Sequence, residues 1–227
     1  ADTRADKTHS TPAVYDRLVL MVVDGLPSEL VFGSSETLPP RMPKALELVE
    51  AGVGVGYRLR ARTPTVTLPR LKAITAGIVS TFMDVVYNFA ASALATDSWV
   101  QQMHSRGKVL VVHGDKTWPK LFPSQFTRTS LVSDLYVTDT SEVDFNVTSQ
   151  LDFELKAQDW DLLVLHYLGV DHAGHVGGRH GPLMAPKLQE MDEVLSRIHQ
   201  SLELDHQSRG ARSLLLLVSD HGMTIAG

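Results

Sequence analysis

SLLLLVSDHGM, residues 213–223, decides the fold. Leu214 to Val218 is an unbroken apolar run of strand length, and a strand with one wet face would alternate instead. It therefore reads as a strand buried on both faces, and it stops in Ser219-Asp220-His221-Gly222. Two other apolar runs end in the same way. Leu162 to Leu168 feeds Asp171-His172-Ala173-Gly174-His175, and Leu18 to Val23 delivers Asp24. Three core strands that hand over acid or imidazole at their carboxyl ends describe the edge where open α/β sheets build their sites.

Between these strands the pattern becomes helical. Met42 to Glu50 follows Pro39-Pro40 and closes at Gly52; Thr67 to Ala76 and Asp97 to Ser105 are helix-capable, with Asp97 as a candidate cap. Val143, Val147, Leu151 and Leu155 recur every four residues, and Leu188, Met191, Leu195, Ile198 and Leu202 mark a long amphipathic helix. Val109 to Val112 is a further core strand, and Val53 to Leu59 reads as a short one. Residues 119–141 read as irregular, and 174–186 as a Gly/His/Pro loop. This alternation predicts an α/β fold with a mostly parallel central sheet and helices on both faces.

Composition narrows the function. The 227 residues are enough for one full core, and 43% apolar and 21% charged residues are globular proportions. Net charge is -5 with no basic stripe, which gives a nucleic-acid partner little attraction. The absence of cysteine removes disulfides, thiolate chemistry and sulfur ligands. No apolar run approaches the roughly 20 residues that span a bilayer. Residues 1–16 read as a polar, disordered leader, with 17–227 as one domain. Asn146-Val147-Thr148 is a glycosylation acceptor triplet.

Several residues can carry chemistry. Asp171 and His175 are four apart, so one helical turn would put both on one side, and their donor types suit zinc, or manganese with more oxygen ligands. The same residues also suit a polar loop. Asp220-His221 is a second acid–imidazole pair. Asp24 is either a ligand or the acid of an Asp-Gly turn. Thr67, in Pro64-Thr65-Val66-Thr67-Leu68-Pro69-Arg70, is either a helix cap or a nucleophile poised at a helix N-terminus. His113-Gly114-Asp115-Lys116-Thr117-Trp118 follows a strand and reads as a substrate-side loop or as a turn pinned by tryptophan. His166, inside a strand, reads as a packed imidazole.

Taken together, the strings PTVTLPRLKAITAG, HGDKTWPKLFP, VDFNVT, WDLLVLHYLGVDHAGHVGG, KLQEMDEVL and SDHGMT resemble the glycosylphosphatidylinositol (GPI) ethanolamine phosphate transferase family, within the alkaline-phosphatase-like superfamily. The resemblance implies that Asp24, Asp220 and His221 hold one metal, and that Asp171 and His175 hold a second. It implies Thr67 as nucleophile and Asn88 as a group steadying the transferring phosphoryl. His172 and Asp115 would stand beside the ligands or against substrate. The superfamily's further histidine on the second metal would lie beyond Gly227, which implies a catalytic domain truncated at its C-terminus.

The implied reaction moves phosphoethanolamine from phosphatidylethanolamine to a mannose hydroxyl of the GPI precursor, through a phosphothreonine-type intermediate and two zinc ions. The implied setting is the lumenal side of the endoplasmic reticulum membrane, with a membrane region and a small membrane-protein subunit as partners. Two other readings use the same residues. One is a metal-dependent phosphodiesterase or phosphatase with water as acceptor, and the other is a non-catalytic binding fragment.

Overall fold

The computed structural model describes residues 13–34, 39–79, 93–132 and 138–227. Asn88 and leader residues 1–12 lie outside the described residues. Strands β1 (Arg17–Val23), β2 (Leu110–Asp115), β3 (Arg128–Val132), β4 (Leu162–Tyr167) and β5 (Ser213–Val218) form one sheet in the order β3-β2-β4-β1-β5. All neighbouring pairs are parallel. Register matters for the site. Val22 lies opposite both His166 of β4 and Val218 of β5, so the carboxyl ends of these three adjacent strands finish level.

Helices cover both faces. They are α1 (Ser28–Phe32), α2 (Pro43–Glu50), α3 (Thr67–Ala76), α4 (Trp99–Ser105), α5 (Thr117–Leu121), α6 (Glu142–Ala157), α7 (Gly169–Gly177) and α8 (Met184–Arg209). Strand alternation divides the core in two. Val19, Met21, Val23, Leu163 and Leu165 pack with Leu30, Met42, Leu151, Met191 and Ile198 on one face. Leu20, Val22, Val112, Leu162 and Val164 pack with Leu71, Val100, Trp118 and Phe122 on the other. The apolar row of α8 is buried throughout, as its spacing predicts. β5 is the exception to full burial. Among the described residues only β1 pairs with it, and its side chains are half-covered.

Local structure departs from the sequence reading in five places. Residues 53–59 form no strand; Val53, Val55, Tyr57 and Leu59 are exposed, and no described strand pairs with them. Ser98, not Asp97, caps α4, its hydroxyl accepting from Gln101 N at 3.2 Å. Thr67 is the first residue of α3 and caps nothing. Residues 119–141 contain the end of α5 and all of β3. Residues 174–186 include the last turn of α7 and the start of α8.

The helix α7 owes its start to a distant carboxylate. Asp144 of α6 is fully buried and accepts from Leu168 N and Gly169 N, both at 3.0 Å. These are donors that a helix N-terminus leaves open. Lys187 of α8 neutralises Asp144 at 2.9 Å and also reaches Glu190 at 2.7 Å. Burial opposes the Lys187 charge, but these two acids outweigh it and raise its pKa. Asp144→Ala would strand two amide donors and remove half of a buried ion pair. The expected loss is about 3 kcal/mol of unfolding free energy in urea titrations. A loss under about 1 kcal/mol would contradict this account.

Candidate active site

β1 ends at Val23, and Asp24 prolongs its ladder by donating N–H to Tyr167 O at 2.9 Å. The next residue must be glycine for two reasons. Gly25 has φ +66, and a Cβ there would lie 2.6 Å from Asp171 Oδ1. The missing side chain lets the α7 carboxylate close on the β1 turn. Across the strand, Gly25 N donates to Asp220 Oδ1 at 3.3 Å, which ties the β1 and β5 ends together.

Asp24, Asp220 and His221 each offer an atom within 4.8 Å of the others. Both aspartates are almost fully buried. His221 Nε2 stands 3.2 Å from Asp24 Oδ1 and 3.4 Å from Asp220 Oδ2. His221 Nδ1 lies 3.0 Å from Gly222 O, an arrangement that directs a neutral ring's Nε2 lone pair at the carboxylates. Asp24 Oδ1 and Asp220 Oδ2 have no aligned hydrogen bond. Buried carboxylate oxygens without donors are expensive. Two such oxygens and one imidazole nitrogen converging on a point fit a divalent cation of the zinc or manganese kind.

The electrostatics match an unneutralised acidic site. Burial and the neighbouring Asp24 charge push Asp220 up to about 6. Burial also works to raise Asp24, but His166 and His221 outweigh it and hold it well below the ordinary carboxylate range. His221 goes to about 9: burial opposes its charge, and Asp24 and Asp220 overcome that. A cation binding there at pH 7 must therefore displace the His221 proton. Zinc titration calorimetry in buffers of different ionisation enthalpy is expected to show proton release. Uptake without release would contradict the assignment of His221 as a ligand.

Thr67 enters from α3. Its hydroxyl, half-buried, donates to Asp24 Oδ2 at 3.2 Å. One turn on, Arg70 Nε donates to Asp220 O at 3.1 Å and clamps α3 to the β5 end. Arg70 carried no signal beyond its helical spacing from Thr67. On the other side, Asp171 Oδ2 is 3.2 Å from His175 Nε2 across one turn of α7. Burial, then the Asp24 charge, raises the Asp171 carboxyl. His175 is exposed. The structure thus brings Asp24, Thr67, Asp171, His175, Asp220 and His221 to one sheet edge.

The remaining sequence candidates are placed differently. His172 is buried, with Nδ1 2.8 Å from Asp139 O. Asp115 is buried and starts α5 by accepting from Thr117 N at 2.8 Å. Asn146 is exposed on α6.

A parallel sheet with carboxylates, imidazole and a threonine gathered at its carboxyl edge defines an α/β protein with a candidate metal-assisted active site. The sequence model for type I phosphodiesterase / nucleotide pyrophosphatase matches residues 84–226, and the chain belongs to that family. The GPI ethanolamine phosphate transferase 2 catalytic subunit of Homo sapiens is 41% identical over 227 residues, all of this chain and 23% of the relative. GPI ethanolamine phosphate transferase 2 of Schizosaccharomyces pombe is 42% identical over 96% of this chain and 29% of the relative. The chain therefore spans about a quarter of the length of these relatives.

Solved structures show the same fold. Murine ectonucleotide pyrophosphatase / phosphodiesterase 5, an inactive form in complex with AMP, superposes with TM-score 0.61 at 17% identity, over 92% of this chain and 57% of that one. The C-terminal periplasmic domain of EptC from Escherichia coli, in complex with zinc, gives TM-score 0.60 at 16% identity, over 94% of this chain and 66% of that one. Among the described residues, no helix is long and apolar enough to cross a membrane.

Proposed function

We propose that this chain carries the catalytic centre of a GPI ethanolamine phosphate transferase, moving phosphoethanolamine from phosphatidylethanolamine to a mannose hydroxyl of the GPI precursor. The observation that carries the reading is the Thr67 hydroxyl donating to Asp24, beside the buried Asp24–Asp220–His221 group. Relatives about 40% identical over nearly the whole chain, named GPI ethanolamine phosphate transferase 2, support the transferred group and a GPI acceptor.

Asp24, Asp220 and His221 would hold one zinc ion, and Asp171 with His175 would contribute to a second. Divalent cations there would lower the pKa of a hydroxyl and offset charge on the transferring phosphoryl oxygens. Asp24 Oδ2 orients the Thr67 hydroxyl and keeps its proton on the side away from substrate. The Thr67 oxygen attacks phosphorus in line, the bond to the diacylglycerol oxygen breaks, and the proton given up by the Thr67 hydroxyl ends on that leaving oxygen. Phosphoethanolamine remains esterified to Thr67. A mannose oxygen then attacks the same phosphorus, its proton passes to the Thr67 oxygen, and free threonine is restored. Asn88 is proposed to steady the phosphoryl group. His172, held on Asp139 O, and Asp115 would support the site from behind. The proposed setting is the lumenal face of the endoplasmic reticulum membrane, with Asn146 glycosylated and the membrane region and a small membrane subunit as partners.

The family's description as a phosphodiesterase favours one competing reading, in which water accepts the group. One experiment separates them. The zinc-loaded protein is given phosphatidylethanolamine with and without a synthetic mannosylated GPI precursor. Transfer predicts a phosphoethanolamine-bearing glycolipid as the main product when acceptor is present. Free phosphoethanolamine at the same rate with or without acceptor would establish the hydrolase instead.

A further inference from the structure

Two buried polar groups are unused by the mechanism above, although both are within reach of it. His166 sits one residue before the carboxyl end of β4 with no exposed surface, and its Nε2 has no aligned hydrogen bond. Trp118, from the HGDKTW stretch, is equally buried on α5. Its indole Nε1 donates to His166 Nδ1 at 3.0 Å. An indole N–H can only donate, so His166 Nδ1 must be the lone-pair nitrogen. The ring proton is therefore on Nε2. That nitrogen lies 3.3 Å from Asp24 Oδ2, the oxygen that also accepts from Thr67.

We infer that His166 is a positioning residue: Trp118 fixes its tautomer so that Nε2–H faces Asp24 Oδ2 and leaves Asp24 Oδ1 free to bind a cation. This rests on the reading that Asp24, Asp220 and His221 hold a metal. With the Thr67 hydroxyl donating to Oδ2 and His166 Nε2 standing 3.3 Å from the same oxygen, the orphaned Oδ1 is turned toward His221. Groups behind a ligand that set its orientation in this way contribute substantially to metal affinity.

The HGDKTW stretch is built to place the tryptophan. Gly114 has φ +127, and a Cβ there would come within 2.2 Å of His166 O, so only glycine lets β2 lie this close to β4. Asp115 Oδ1 accepts from both Thr117 N and Thr117 Oγ1, which turns the chain directly into α5. Trp118 is then set edge-on to the imidazole, with ring centroids 6.3 Å apart and planes 85° apart. A histidine that served packing alone would have both nitrogens satisfied. Here the unsatisfied nitrogen lies 3.3 Å from the site's own carboxylate.

Two measurements test this. In the unmodified protein, long-range 1H–15N correlation spectra should show His166 as the Nε2–H tautomer, and the Nδ1–H tautomer would overturn the inference. Zinc affinity is then read by competition with a chromophoric chelator. Replacing His166 with leucine removes the donor, and His166→Gln keeps one at the same reach. His166→Leu should weaken zinc binding about 10–100-fold while His166→Gln stays within about fivefold of wild type. If His166→Leu does not fold, Trp118→Phe serves instead: it keeps a ring in place but frees the tautomer, and should weaken zinc binding about tenfold. Equal affinity of these variants and wild type overturns the inference, as does equal weakening by leucine and glutamine. Wild-type protein that takes up no zinc would instead refute the metal site itself, a result distinct from either of these.

Discussion

Thr67→Ala is expected to lower transfer at least about 10^3-fold while leaving zinc uptake and stability close to wild type. The selectivity of the effect is the informative part. Thr67 opens α3 but caps nothing, so its removal costs the helix little. Among the described residues its hydroxyl makes one side-chain bond, the 3.2 Å donation to Asp24 Oδ2, and Asp24 keeps the approach of His166 on the same oxygen. The metal-binding atoms therefore survive, and only the attacking oxygen is lost. A factor of 10^3 corresponds to about 4 kcal/mol of barrier, beyond what the loss of one half-buried hydrogen bond explains. Thr67→Ser, which restores the oxygen, should recover most of the rate. A rate in Thr67→Ala within tenfold of wild type would remove Thr67 from the mechanism.

Asp220→Asn should produce opposite changes in stability and in metal binding. Without metal, burial and Asp24 raise Asp220 to about 6, above the ordinary value of 3.8. A folded state that holds its proton more tightly than the unfolded chain is penalised as pH rises through that interval. The metal-free protein therefore loses stability between about pH 4 and 6, and the full penalty persists at neutral pH. Asparagine removes the charge and retains the oxygen that accepts from Gly25 N. The expected gain is about 1–2 kcal/mol at pH 7 in chelator-treated protein, offset in part by the loss of a partner for His221. Zinc affinity should fall at least about 10^3-fold, because one of three converging donors is neutralised. Undiminished zinc binding, or a metal-free variant less stable than wild type, would contradict the account.

The parts of the fold legible in sequence were those written in contiguous residues. LLVLHYL, LVLMVV and LLLLV are strands on their own evidence, and their Asp and His followers fall at one edge because β4, β1 and β5 are neighbours in register. Four-residue spacing sufficed to pair Asp171 with His175. What was hidden depended on distant partners. The glycine-rich GVDHAGHVG segment has poor helix propensity, yet it is helical because Asp144 meets its first amides. Thr67 reads as a cap because caps are usually local; here Asp24, remote in sequence, takes the hydroxyl. β3 alternates half-buried and exposed residues at a sheet edge and so shows no apolar run. His166 was visible as a polar residue in a core strand, but its meaning comes from β1 and α5.

The central claim is that phosphoethanolamine passes through Thr67. Zinc-loaded protein mixed with phosphatidylethanolamine in the absence of acceptor, acid-quenched and digested, should yield the peptide containing Thr67 with phosphoethanolamine esterified to that residue. Adding the mannosylated acceptor before the quench should discharge it. A modified peptide elsewhere in the chain, or product formed while Thr67 stays unmodified at every quench time, would contradict the account.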